Sequence, residues 1–242
     1  MMTLIFFLIQ LLLIAIVYGL TCAEILQLPA EKKLTLQELQ TIQPKDIVQC
    51  LAHLGKENLG EKEAGFLWKT IVNFYEGIPN IPDSVFMLLH WVTPAVSPEE
   101  YGNITFNSID VIQNFGLDYN LNAEQLYAIA DRVRQDFAGK EPEDYTYYDL
   151  TALRQILCAF NRSEIERIRP SAYREAALII GKLQNCNPET LQGFATLAVQ
   201  RKAFGSPDTW SDATLEILGV VAEYLPKGIV DNNKLGGQMP SI

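Results

Sequence analysis

The segment EPEDYTYYD, residues 141–149, sets Glu141, Glu143, Asp144 and Asp149 among Tyr145, Tyr147 and Tyr148. Two carboxylates a few ångströms apart are all that a glycosidase needs to break a sugar bond, and rings beside them would line a sugar or cation site. The competing reading is a solvated inter-helix loop leading into a capped helix, and the composition favours that loop. Other chemistries lack their marks. The two histidines, His53 and His90, stand inside the apolar runs CLAHLG and MLLHWV, which predicts core or partly buried rings rather than ligands or bases. No His-Glu-x-x-His, Cys-x-x-Cys or Gly-x-Ser-x-Gly occurs, and the glycines of LGKENLGEKEAG lack the lysine and hydroxyl that would cradle a phosphate. The oxygen-ligand spacing of an EF-hand is missing too. Trp68, Trp91 and Trp210 have apolar neighbours and read as core. No catalytic residue, metal or cofactor is expected.

The residues that do suggest chemistry point to export. Asn103-Ile-Thr105 and Asn161-Arg-Ser163 are glycosylation sequons, each short enough to arise by chance. Residues 1–23 contain no Asp, Glu, Lys or Arg and hold the run LIFFLIQLLLIAIV, the pattern of a secretory signal peptide with Thr21 and Ala23 at the positions before cleavage. Cleavage after Gly19 is the second option, and an uncleaved anchor the rival. Removal through Ala23 takes Cys22 and leaves Cys50, Cys158 and Cys186, an odd number, so that one thiol would be free or would link two chains. Cleavage after Gly19 keeps all four and makes two bridges possible. The formal charge is −10, and such a surface repels a phosphate backbone, which excludes nucleic acid as an expected partner.

These residues must be positioned by helices. The stretches TLQELQTIQPKDIVQCLAHLGK, from Thr35, and NRSEIERIRPSAYREAALIIGK, from Asn161, align without a gap. Glu38 falls on Glu164, Ile42 on Ile168, Pro44 on Pro170 and Gly55 on Gly181. Thr35 and Asn161 have the spacing of N-caps with the acid three residues on as capping-box partner. Each proline ends one helix and opens the next, and each glycine closes the second. Looser versions of the cap phrase begin at Ser97, Asn122, Thr146, Asn187 and Ser211, while EAGFLWKTIVNFYEG and SVFMLLHWV read as further helices. No strand alternation is convincing. The expectation is all-α: an irregular armadillo-like helical superhelix over residues 24–230, behind the leader 1–23 and ahead of a polar tail 231–242 that offers no further span.

The phrase Ser/Thr-x-x-Glu-Leu-x-x-Ile-x-Pro, fullest in TLQELQTIQP and NRSEIERIRP, resembles the repeating phrase of the mesothelin, stereocilin and otoancorin family. The resemblance implies an extracellular superhelical protein of adhesion or matrix attachment, without enzymatic activity, whose partners are extracellular proteins or glycans. The chain is shorter than typical members. Cysteines in the family tend to precede the cap phrase, which implies a Cys158–Cys186 disulfide; buried unpaired cysteine is the alternative. A second function class is a secreted carrier with an apolar cavity lined by residues such as Phe66, Trp68, Phe86 and Trp91.

Overall fold

A computed structural model describes residues 19–29 and 32–225. Most of the 1–23 leader and all of the 231–242 tail lie outside the described residues. Every regular element among them is an α-helix or a 3-10 turn, and none is a strand. They divide into two compact units, one ending at Val96 and one beginning at Ser97, within the span read from the sequence as one domain.

The first unit runs through α1 (Cys22–Ile25), α2 (Leu36–Leu39), α3 (Pro44–Gln49), α4 (Leu51–Leu54), α5 (Glu61–Phe74), α6 (Asp83–Phe86) and a 3-10 turn, His90–Ala95. Thr35 caps α2: its Oγ1 accepts the Glu38 N–H at 3.3 Å while the Glu38 carboxylate accepts the Thr35 N–H at 2.8 Å. Pro44 then opens α3, as its fixed φ and missing donor favour. Ile47, Leu51, Leu67, Ile71, Leu89 and Val92 form the core. Two expectations fail here. His53 is exposed, because α4 is a single turn whose inner face is filled by Leu51 and Leu54. SVFMLLHWV is not one helix: the chain turns through His90 at φ 45°, and the Trp91 N–H leaves the helical ladder to bond the Gly55 carbonyl at 2.8 Å.

The second unit begins with a 3-10 turn, Glu100–Asn103, where the Ser97 phrase was expected to give a helix. The cap bond survives, Ser97 N–H to Glu100 Oε2 at 2.8 Å, but only a turn follows it. Next come α7 (Ile109–Phe115), α8 (Ala123–Asp136), α9 (Tyr147–Leu153) with a 3-10 turn Arg154–Ala159, α10 (Arg162–Arg167), α11 (Pro170–Ile180), α12 (Pro188–Ala198), and α13 (Asp212–Leu218) with a 3-10 turn Gly219–Tyr224. Asn161 repeats the Thr35 cap on α10, and Pro170 opens α11 after an extended Ile168. The core is aromatic in places. Phe115 meets Tyr101 and Phe106 edge to face at 5.8 and 5.1 Å, and Tyr173 stacks on Phe194 at 5.4 Å.

One junction recurs, once in the first unit and twice in the second. Gly55, Gly116 and Gly181 each follow a helix and offer their carbonyl to the N–H of Trp91, Gln155 and Val220, at 2.8, 3.0 and 3.0 Å. The residue before each donor, His90, Arg154 or Gly219, has positive φ of 45°, 38° and 49°. That kink turns an α-helix into a 3-10 turn and points the donor at the glycine. A Cβ on any of the three glycines would overlap backbone carbonyls, those of Leu89, Ala152 and Leu218 among them. The glycines are needed for close backbone approach.

Candidate functional site

The acidic segment is the place to look for chemistry, and its side chains are occupied. Glu141 and Glu143 both converge on one guanidinium, Arg167 of α10, at 2.9 and 2.8 Å. Arg169 donates to the carbonyls of Asp144 and Tyr145 at 3.2 and 3.3 Å. The loop is clasped by the end of α10. Both glutamates are more than half exposed, and Arg167 holds the Glu143 carboxyl below the ordinary range. A glycosidic general acid needs the reverse, a carboxyl kept protonated near neutrality. Tyr145 is buried in the core, whereas Tyr148 projects into solvent. Arg167, Arg169 and Lys140 went unnoticed in the sequence; lone basic residues carry no signal until the fold brings them to the loop.

Asp149, the fourth carboxylate, is 1 % exposed and caps α9. Burial alone would push its carboxyl up. The Lys140 ammonium at 2.6 Å and the Thr146 N–H and O–H at 2.8 and 2.7 Å more than offset that and lower it. A lowered carboxyl stabilises the fold above its unfolded value, and that stability is lost as pH falls through the folded value. Native protein should therefore exceed Asp149→Asn in stability at pH 7, with the gap closing as pH drops below about 4, as read by thermal unfolding across pH.

Cys158 and Cys186 are joined by a disulfide, with Cα atoms 4.5 Å apart. It ties the turn after α9 to the residue before the Asn187 cap of α12. Around it, Gln155 donates to the Gln184 carbonyl, and the buried Thr190 hydroxyl donates to the Phe160 carbonyl at 2.6 Å. Arg134 of α8 forks onto Glu164 at 2.7 and 3.1 Å and lies over the Phe160 ring. The acid of the α10 capping box thus also anchors α8. Asn103 and Asn161 are both exposed; the Asn161 cap uses Oδ1, and a glycan would attach to the amide nitrogen.

Of the aromatic set proposed for a carrier cavity, Trp91 is partly buried. Trp68 and Phe86 are core residues, and Phe66 borders a shallow groove with Pro44 and Phe74. A cavity of about 500 Å³ does open in the first unit, between Ile25, Leu28, Leu39, Leu54, Leu59 and Leu67, with lysines at its rim. Among the described residues no group of three or more His, Cys, Asp or Glu could hold a metal ion, and no helix is long and apolar enough to cross a membrane.

No family model and no solved structure matches the chain. Otoancorin of Mus musculus is 29% identical over 133 residues, human otoancorin 29% over 136, and human stereocilin 29% over 90. Part of the chain is similar to part of otoancorin and of stereocilin. The match covers 55% of this chain but 11% of either otoancorin, and 37% of this chain but 5% of human stereocilin. The chain therefore corresponds to a small part of the length of these relatives.

Proposed function

We propose that the chain is an exported, non-enzymatic adhesion or matrix protein that binds extracellular protein or glycan through the exposed faces of stacked helices, in the mesothelin-like manner. The observation that carries this reading is the similarity to otoancorin over 55% of the chain and to human stereocilin over 37%, in a chain whose described residues form helices and no strand. The recurrent glycine junction supports it. Each junction locks a helix to a 3-10 turn further along the chain within the same unit, as the armadillo-like superhelix of this reading needs of its repeats. Tyr127, Tyr148 and Leu178, each at least half exposed in the second unit, supply the aromatic and apolar anchors such surfaces use. Asn103 and Asn161 carry glycans in this reading, and Ser163→Ala removes one sequon, keeping the Glu164 N–H bond to the Asn161 Oδ1 cap and losing the Ser163 hydroxyl's donation to it.

The test is equilibrium binding of the purified chain to an immobilised basement-membrane extract and to a glycan array, with Tyr148→Ala beside the native protein. Saturable binding on either surface, weakened in the variant, is expected. Hydrolysis of a glycan that disappears in Glu141→Gln or Glu143→Gln would overturn the reading in favour of an enzyme. The alternative of a carrier predicts instead that a labelled fatty acid or sterol binds stoichiometrically in the 500 Å³ cavity.

A further inference from the structure

The two cysteines outside the observed disulfide lie against each other in the first unit. Cys50, at the end of α3, is 2 % exposed, and its Sγ stands 3.6 Å from the carbonyl oxygen of Cys22 in α1. A carbonyl oxygen is three bonds from the Cβ of its own residue, so the sulfur is at contact distance from the residue it would join. One residue fixes both backbones. The Cys22 N–H donates to Oδ1 of Asp46 at 3.1 Å, and the Cys50 N–H donates to the Asp46 carbonyl at 3.0 Å. The short helix α1 is held by more than this pair: Thr21 and Glu24 form a capping box, and Ile25 is 1 % exposed. Burial, and then the neighbouring Cys22 thiol, push the Cys50 thiol up to about 12. The thiol side chains are therefore neighbours and not only their backbones.

We propose that Cys22 and Cys50 close a second disulfide in the exported protein, spanning the same 28 residues as Cys158 and Cys186. The oxidant is a protein or glutathione disulfide of the export pathway. The half-buried Cys22 attacks it as thiolate, and one oxidant thiol leaves with a mixed disulfide in place. Cys50 loses its proton and attacks the Cys22 sulfur, the Cys22–Cys50 bond forms, and the second oxidant thiol departs. Two protein thiols are oxidised, one external disulfide is reduced to two thiols, and the count balances.

The bond decides between the two leader boundaries. Removal through Ala23 would discard Cys22 together with the Thr21 cap, whereas cleavage after Gly19 keeps both. The structure assigns residues 20–25 to the folded body, and the processed chain begins ahead of Cys22.

This inference rests on the exported reading, and the experiment separates the two. The full chain is expressed through a mammalian secretory pathway, and its N-terminus is sequenced. Free thiols are then alkylated in denaturant, and peptides are mapped without reduction. The expected result is an N-terminus ahead of Cys22, no alkylated cysteine, and a linked Cys22–Cys50 peptide. Cys22→Ser should leave Cys50 as the single alkylated thiol. A start at Glu24, or both thiols alkylated in the secreted product, would overturn the inference. Chain retained in cells is equilibrated with oxidised and reduced glutathione instead: a Cys22–Cys50 link then upholds the pairing while the export reading fails, and two free thiols refute the pairing.

Discussion

Replacing both Cys158 and Cys186 by serine should lower the unfolding free energy of the second unit by about 3.5 kcal/mol, the loop-closure entropy restored to an unfolded chain when a bridge across 28 residues is removed. In a protein whose whole stability is of the order of 5–15 kcal/mol, that loss is large. Its location sharpens the expectation. The bridge sits where the turn after α9 meets the entry of α12, beside the buried Thr190 hydroxyl and the Gln155 amide, both bonded to backbone. Opening it would leave those two hydrogen bonds to compete with water. Urea unfolding followed by the fluorescence of Trp210, the tryptophan of this unit, would read the change as a lower midpoint. An unchanged midpoint would mean that packing of α10 against α12 alone holds the seam.

Gly181→Ala should destabilise by about 1–3 kcal/mol or more, the range of overpacked cores, although the right-handed helical backbone of Gly181 would itself suit alanine. The added methyl would sit 2.5 Å from the Ile217 carbonyl oxygen and 2.8 Å from that of Leu218. Both are backbone atoms, so relief requires α11 and α13 to move apart, which breaks the Val220 N–H bond to the Gly181 carbonyl. Gly65 is the control. It lies within α5 with nothing near its missing Cβ, so alanine there should stabilise slightly, by up to about 1 kcal/mol. Opposite signs for two glycine-to-alanine changes, measured by thermal unfolding, would isolate close approach as the cause.

The helix caps were legible because they are local: Thr35 with Glu38 and Asn161 with Glu164 announce a helix within four residues, and Pro44 and Pro170 announce its break. The recurrent junction was not legible, because it joins residues far apart in the chain through backbone atoms that carry no side-chain signature. Its trace was nevertheless present. Gly116 and Gly181, Asn122 and Asn187, and Thr146 and Ser211 each stand sixty-five residues apart. Between Thr35 and Asn161 the cap phrase at Ser97 is looser, and there the chain forms a 3-10 turn in place of a helix. The run SVFMLLHWV misled for a related reason, since apolar content favours burial without distinguishing a continuous helix from one kinked at His90. At the candidate site, the carboxylates of the 141–149 segment were visible, but the arginine that pairs with Glu141 and Glu143, Arg167, comes from α10, and only the fold makes them neighbours.

Tethered between two surfaces and pulled from its ends, the second unit would not yield uniformly. Force arriving along the backbone at Cys158 crosses the sulfur–sulfur bond to Cys186 and bypasses α10 and α11, which carry no tension even when the helices before and after them have been drawn out. At about 3.5 Å per extended residue, the 28-residue loop withholds roughly 95 Å of slack. A reducing environment would release that length at once, so a single covalent bond sets how far this part of the chain can stretch.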